Sequence, residues 1–277
     1  MDLPEALVSC RMEETICGKS HGKKCITRNE ALSMRTVAII GGTGFGNALI
    51  AGTSEAVETE YGQASLTRAA LGDDLTLLFL ARHGIGHSLP PHKINHKANI
   101  TALRDLGVDA VFATTAVGSL SAEISPGDFV ILDDFLDFTK GEVMTFFEEP
   151  GQVTHTDFVA PYDPLLRDAL LQTVDPQIAS CIHSHGTYLC TSGPRYETPA
   201  EVRVFGQWGA SVVGMTGAPE AILCREAGLR YAGVALVTNY GTGLVTQTPL
   251  SHAEVEAEMA KSRDALAAWL LRAVRVE

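Results

Sequence analysis

Asn239 closes the apolar run Val234-Ala-Leu-Val237 and carries one acceptor oxygen and one NH2 donor on a neutral group. That pair fits a ring edge with a carbonyl beside an N–H, such as O6 and N7–H of a 6-oxopurine. The competing reading is an amide that satisfies its own turn. Arg82 and His83 follow a second apolar run, Leu75 to Leu80. An arginine and a histidine at the end of a buried strand are costly unless they meet an anion or reach solvent. A phosphate would use the planar fork of the one and a donor from the other; a structural Arg82 paired to a carboxylate is the alternative. Thr43 lies in Gly41-Gly-Thr-Gly-Phe-Gly46, a loop that presents backbone N–H groups and a hydroxyl to an anion, although a tight turn explains it equally well. No Gly-Lys-Ser/Thr follows, so it is not a Walker loop, and Asn47 breaks GxGxxG. Thr216 is suited to phosphate and Met215 to a sugar or to the core. Tyr196 can stack on a base and Glu197 bond its Watson–Crick edge, or the two are a packed aromatic and a solvated carboxylate.

The elements that must position these groups repeat one pattern. Thr36 to Ile40, Leu75 to Leu80, Ala110 to Ala116, Gly186 to Thr191, Ala210 to Val213 and Val234 to Val237 read as strands, and most end in polar residues or glycine. Thr114 and Thr115 follow this rule. Helices are expected over Asn95 to Leu106, Asp163 to Val174, from the capping box Thr198-Pro-Ala-Glu201, from Pro219 to Gly228, and from Ser251-His-Ala-Glu254 to about Val274. Residues 133 to 162 read mainly as a loop that holds His155 and Asp157. Strands alternating with helices, each strand with a polar end, predict an α/β fold with a ligand site at one sheet edge. An anion pocket, a sugar contact and a base edge together are what nucleoside phosphorolysis requires.

A formal net charge of −12 argues against nucleic acid or an anionic membrane as partner. Six cysteines with no paired CxxC spacing fit a reduced, cytoplasmic setting. Cys181, His183 and His185 share a strand face, yet no second cluster completes a metal site. Val-Gly-Ser119-Leu-Ser lacks the GxSxG elbow of a serine hydrolase. Residues 1–33 have no sustained periodicity and are expected to be a disordered extension, with one catalytic domain over 34–277.

From about Arg35 onward the chain resembles the trimeric purine nucleoside phosphorylase and methylthioadenosine phosphorylase family. The motifs are Ile-Ile-Gly-Gly-Thr-Gly-Phe, Ala-Arg-His-Gly, Thr-Thr-Ala-Val-Gly-Ser-Leu, Gly-Pro-Arg-Tyr-Glu-Thr, Val-Gly-Met-Thr-Gly-Ala-Pro-Glu and Val-Thr-Asn-Tyr. The resemblance implies a single-domain nucleoside phosphorylase fold with a mixed central sheet flanked by helices. It implies that Thr43, Arg82, His83, Thr115, Ala116 and Thr216 hold phosphate, that Met215 contacts ribose, that Tyr196 stacks near the base and that Asn239 faces the purine. It also implies a homotrimer, with phosphate as co-substrate and no cofactor or metal. Methylthioadenosine phosphorylases carry Asp where this chain has Asn239 and Ser where it has Glu197, so hypoxanthine or guanine is the expected base. Val153-Thr-His-Thr-Asp-Phe158 with Pro161-Tyr-Asp163 looks most like bacterial methylthioinosine phosphorylases, which places His155 among the substrate-binding residues. General inosine and guanosine phosphorolysis is the alternative, and a nucleoside hydrolase or a non-catalytic nucleoside-binding protein is the alternative of another class.

Overall fold

The structure is a computed structural model that describes residues 35–42, 51–84, 86, 88–141, 144–151, 153–245 and 252–277. In chain order its strands are β1 (Arg35–Gly41), β2 (Thr53–Thr59), β3 (Gly62–Ala70), β4 (Leu75–Ala81), β5 (Ala110–Ser119), β6 (Phe129–Ile131), β7 (Asp134–Phe138), β8 (Ile182–His183), β9 (Thr187–Thr191), β10 (Val212–Gly214) and β11 (Arg230–Tyr240). Its helices are α1 (His96–Asp105), α2 (Pro164–Gln172), α3 (Pro199–Gln207), α4 (Gly217–Glu226) and α5 (His252–Val276). Met34–Glu277 forms one unit, and residues 1–33 lie outside the described ones.

All the strands join one mixed sheet. The apolar runs of β1, β4, β5 and β11 pair in parallel, and burial on both faces is why they are continuous rather than alternating. The hairpin β2–β3 adds an antiparallel edge to β4. Its half-exposed, polar-rich sequence carries a weaker signal, and the sequence reading passed over it.

One face of the sheet packs Ile100, Ala102 and Leu103 of α1 and Ala218, Ala221 and Leu223 of α4. The other packs Leu166 and Leu170 of α2 and Leu266, Trp269 and Leu270 of α5. Trp269 is wholly buried, and its indole N–H donates to the Leu170 carbonyl at 2.9 Å, so the large ring enters the core without an orphaned donor. The expected capping box of α3 is present: the Thr198 hydroxyl accepts from the Glu201 amide and the Glu201 carboxylate accepts from the Thr198 amide.

Three expectations need correction. The stretch 133–162 contains β7, which pairs in parallel with β9 and is polar enough in sequence to pass for loop. β5 continues past Ala116 to Ser119, and β11 does not end at Val237 but runs through Thr238 and Asn239 to Tyr240. Polar residues at those positions face a cavity within the sheet, so polarity does not mark the strand end. Ser251, the cap proposed for α5, lies outside the described residues.

β5 is the strand on which the site depends. One of its edges pairs with β1 only at Ala110–Ala113, and with β10 only at Gly118 and Ser119. Over Thr114–Val117 that edge is left by both neighbours, while β11 pairs along the opposite edge throughout. Diverging strands open a gap in the middle of the sheet.

Candidate active site

A cavity of about 370 Å³ occupies that gap, within the usual size of a small-molecule site. Thr115, Ala116, Val117 and Gly118 of β5 form its floor; Arg82 and His83 enter after β4; Val213, Gly214, Met215 and Thr216 come from β10 and the turn into α4. Tyr196 and Glu197 approach from the loop before α3, Thr238 and Asn239 from β11, and Val255 from α5.

Arg82 is paired to a carboxylate, the alternative reading of the sequence. It is 2% exposed, and Nε and Nη2 donate to the two oxygens of Glu220 at 2.8 and 2.7 Å. Nη1 donates to the Thr114 carbonyl at 2.7 Å, on the stretch of β5 where β1 and β10 both leave one edge. Burial works to lower the guanidinium pKa, but the charge and hydrogen bonds of Glu220 outweigh it and Arg82 is held firmly charged. Five donors minus these three leave two N–H groups for the cavity wall that Arg82 lines.

His83 is buried, with Nδ1 2.9 Å from the Leu89 carbonyl. A carbonyl only accepts, so Nδ1 carries the hydrogen. Donation from Nε2 to an anion then requires the imidazolium. Thr115 and Thr216 are buried and reach the same cavity, one from β5 and the other from the turn into α4.

At the other end, Asn239 owes its placement to a bulge. Val237 pairs with Val117 and Asn239 with Gly118, so Thr238 is the extra residue. In an unbroken strand Asn239 would share the face of Val237, which is core; the bulge moves it to the opposite face. Its Oδ1 accepts from the Thr238 hydroxyl and its Nδ2 donates to the Tyr240 carbonyl, both at 2.9 Å. The local satisfaction foreseen for this amide is therefore real. It consumes only half the amide, because one N–H and one lone pair remain. Glu197 is buried against the Thr191 hydroxyl, which donates to it at 2.9 Å; desolvation pushes its carboxyl pKa up.

One predicted residue is not brought here: His155 is exposed and does not line the cavity. Thr43 lies outside the described residues. His183, weighed as a metal ligand, has Nε2 3.0 Å from Asp128. The sequence reading missed Tyr188, His96 and Val255, and gave Glu220 no role. Only Glu220 left a signal, as the one carboxylate before the apolar run Ala221-Ile-Leu-Cys224.

The sequence matches the Phosphorylase superfamily over residues 36–275. The chain belongs to that family. A 6-oxopurine nucleoside phosphorylase of Pyrococcus furiosus is 46% identical over 87% of this chain and 92% of its own length. A probable S-methyl-5'-thioinosine phosphorylase of Methanocaldococcus jannaschii is 42% identical over 75% of this chain and 80% of its own. Among solved structures, methylthioadenosine phosphorylase from Schistosoma mansoni in complex with adenine superposes with a TM-score of 0.82 at 33% identity, covering 87% of this chain and 91% of that one.

Proposed function

We propose that the chain cleaves the N-glycosidic bond of a 6-oxopurine nucleoside with phosphate, releasing hypoxanthine or guanine and a ribose 1-phosphate. The observation that carries this reading is that one cavity is lined both by a cationic, hydroxyl-bearing set (Arg82, His83, Thr115, Thr216) and by a carboxamide and a carboxyl group (Asn239, Glu197), together with Met215. Thr43 joins the first set on the motif alone.

Phosphate held by the first set meets C1′ from the face opposite the base, and proximity replaces a bimolecular encounter. The bond to the purine breaks with oxocarbenium-like charge on the sugar; the remaining Asn239 N–H donates to O6, and its lone pair accepts from the N7–H of the leaving base. No protein nucleophile is needed, and phosphate is a co-substrate rather than a cofactor.

S-Methyl-5'-thioinosine is the preferred substrate in this reading, because Val255 of α5 and Pro90 and Pro91 give the cavity apolar wall that suits a methylthio group better than a hydroxyl. The inosine and guanosine reading is supported by the name of the Pyrococcus furiosus relative. The active form is a cytoplasmic homotrimer. Phe138 and Trp208 stack at 5.2 Å while 41% and 55% exposed, and Val153 and Val159 flank His155 in the open, as surfaces that meet a second copy would. His155 then serves a neighbouring site rather than its own.

The test is incubation with methylthioinosine, inosine, guanosine and methylthioadenosine, with and without phosphate, and identification of base and sugar. Phosphate-dependent hypoxanthine release chiefly from methylthioinosine is expected. Release without phosphate would mean hydrolysis, and adenine release would overturn the role of Asn239.

A further inference from the structure

Tyr188 is wholly buried on β9 and lies outside the cavity lining, yet its hydroxyl touches the wall from behind. It accepts from the amides of Thr216 and Gly217, both at 3.2 Å. These are among the first N–H groups of α4, which have no partner within the helix. An N-cap threonine ordinarily caps the amides two and three residues further on; Thr216 makes no side-chain cap bond, and at the third position Pro219 has no N–H. The first two amides of α4 are satisfied by β9 instead.

The phenol is built into this turn. A Cβ at Gly214 would stand 2.6 Å from the Tyr188 oxygen, and one at Gly217 3.0 Å from its ring, so both glycines are imposed by the close approach.

We propose that Tyr188 is a positioning residue for phosphate, holding the turn that carries Thr216 from behind the wall and occupying the first two amides of α4. The proposal rests on the phosphorolytic reading and deepens it: the anion is gripped by the Thr216 hydroxyl, not by the helix amides.

The experiment is Tyr188→Phe, which keeps the ring against the two glycines and deletes the acceptor. Steady-state kinetics should show KM for phosphate raised about tenfold, the scale of one buried hydrogen bond, with KM for the nucleoside changed less than about twofold. In a Thr216→Ala background the same change should add little, since Tyr188 acts through Thr216. A lowered melting temperature with both KM values unchanged would make the tyrosine merely structural and overturn the proposal. So would tighter phosphate binding, because the freed amides would then be the anion site. A measurement on the wild type stands if the variant does not fold. Hydrogen exchange at the Thr216 and Gly217 amides should be slow and unaltered by saturating phosphate; slowing on phosphate addition would place the anion on them. If the wild type shows no phosphate-dependent turnover, the phosphorolytic reading fails instead, and the two failures are distinct.

Discussion

Arg82 and Glu220, 138 residues apart in sequence, meet side-on inside the sheet, with side chains 1% and 2% exposed and both carboxylate oxygens bonded. The Tyr231 hydroxyl donates to the same carboxylate at 2.8 Å. The pair gives the cavity a fixed positive charge whose orientation does not depend on a ligand.

Breaking it should therefore cost stability before it costs chemistry. Glu220→Gln keeps the volume but leaves the Arg82 charge buried with no counter-charge, a loss of about 3–5 kcal/mol. For a chain of this size that lowers the melting temperature by roughly 10 °C. Calorimetry with and without phosphate checks it, and phosphate should restore part of the loss by supplying an anion. An unchanged melting temperature would mean the carboxylate is not what holds Arg82.

Asn239 sits on the cavity face because of the Thr238 bulge, and its carboxamide is neutral. Asn239→Asp should lower kcat/KM for 6-oxopurine nucleosides by about tenfold to hundredfold, since an ionised carboxylate cannot donate to O6 and repels it. A protonated one can donate to N7 while its other oxygen accepts from a 6-amino group, so some turnover of 6-aminopurine nucleosides should appear. Product chromatography decides the matter, and an unchanged base preference would refute the assignment.

His96, at the start of α1, is buried with its Nδ1 unpartnered. Desolvation lowers its pKa to about 4, against the attraction of Glu220 and with the help of Arg82 and His83. The unfolded chain binds a proton near pH 6.5 that the folded chain refuses until about pH 4. Stability should be whole above pH 6.5 and fall as the pH drops through this window, by about 3 kcal/mol from this residue. Denaturant titrations of His96→Gln should show a flatter pH slope between those limits; an equal slope would assign the acid sensitivity elsewhere.

The sequence by itself determined the elements and the kind of chemistry. Continuous Val, Ile and Leu runs are legible because a strand covered on both faces needs every side chain apolar, and the Thr198–Glu201 box because its partners are three residues apart. Arg82, Thr115, Thr216, Glu197 and Asn239 stood out as polar groups where burial was expected, and all line one cavity. Tertiary structure decided what each does there. Whether Arg82 faces solvent, an anion or a carboxylate depends on α4 delivering Glu220 from far along the chain. Whether Asn239 faces core or cavity depends on a register shift against β5, which side-chain periodicity in β11 alone does not encode. The cavity exists because β1 and β10 leave one edge of β5 at different residues. Tyr188 illustrates the limit most plainly: in sequence it is an apolar-run aromatic, and its hydroxyl matters only because the fold sets it behind the first turn of α4. Local pattern reports which face a residue prefers; the partner it meets is fixed by chain segments that approach only when the sheet is assembled.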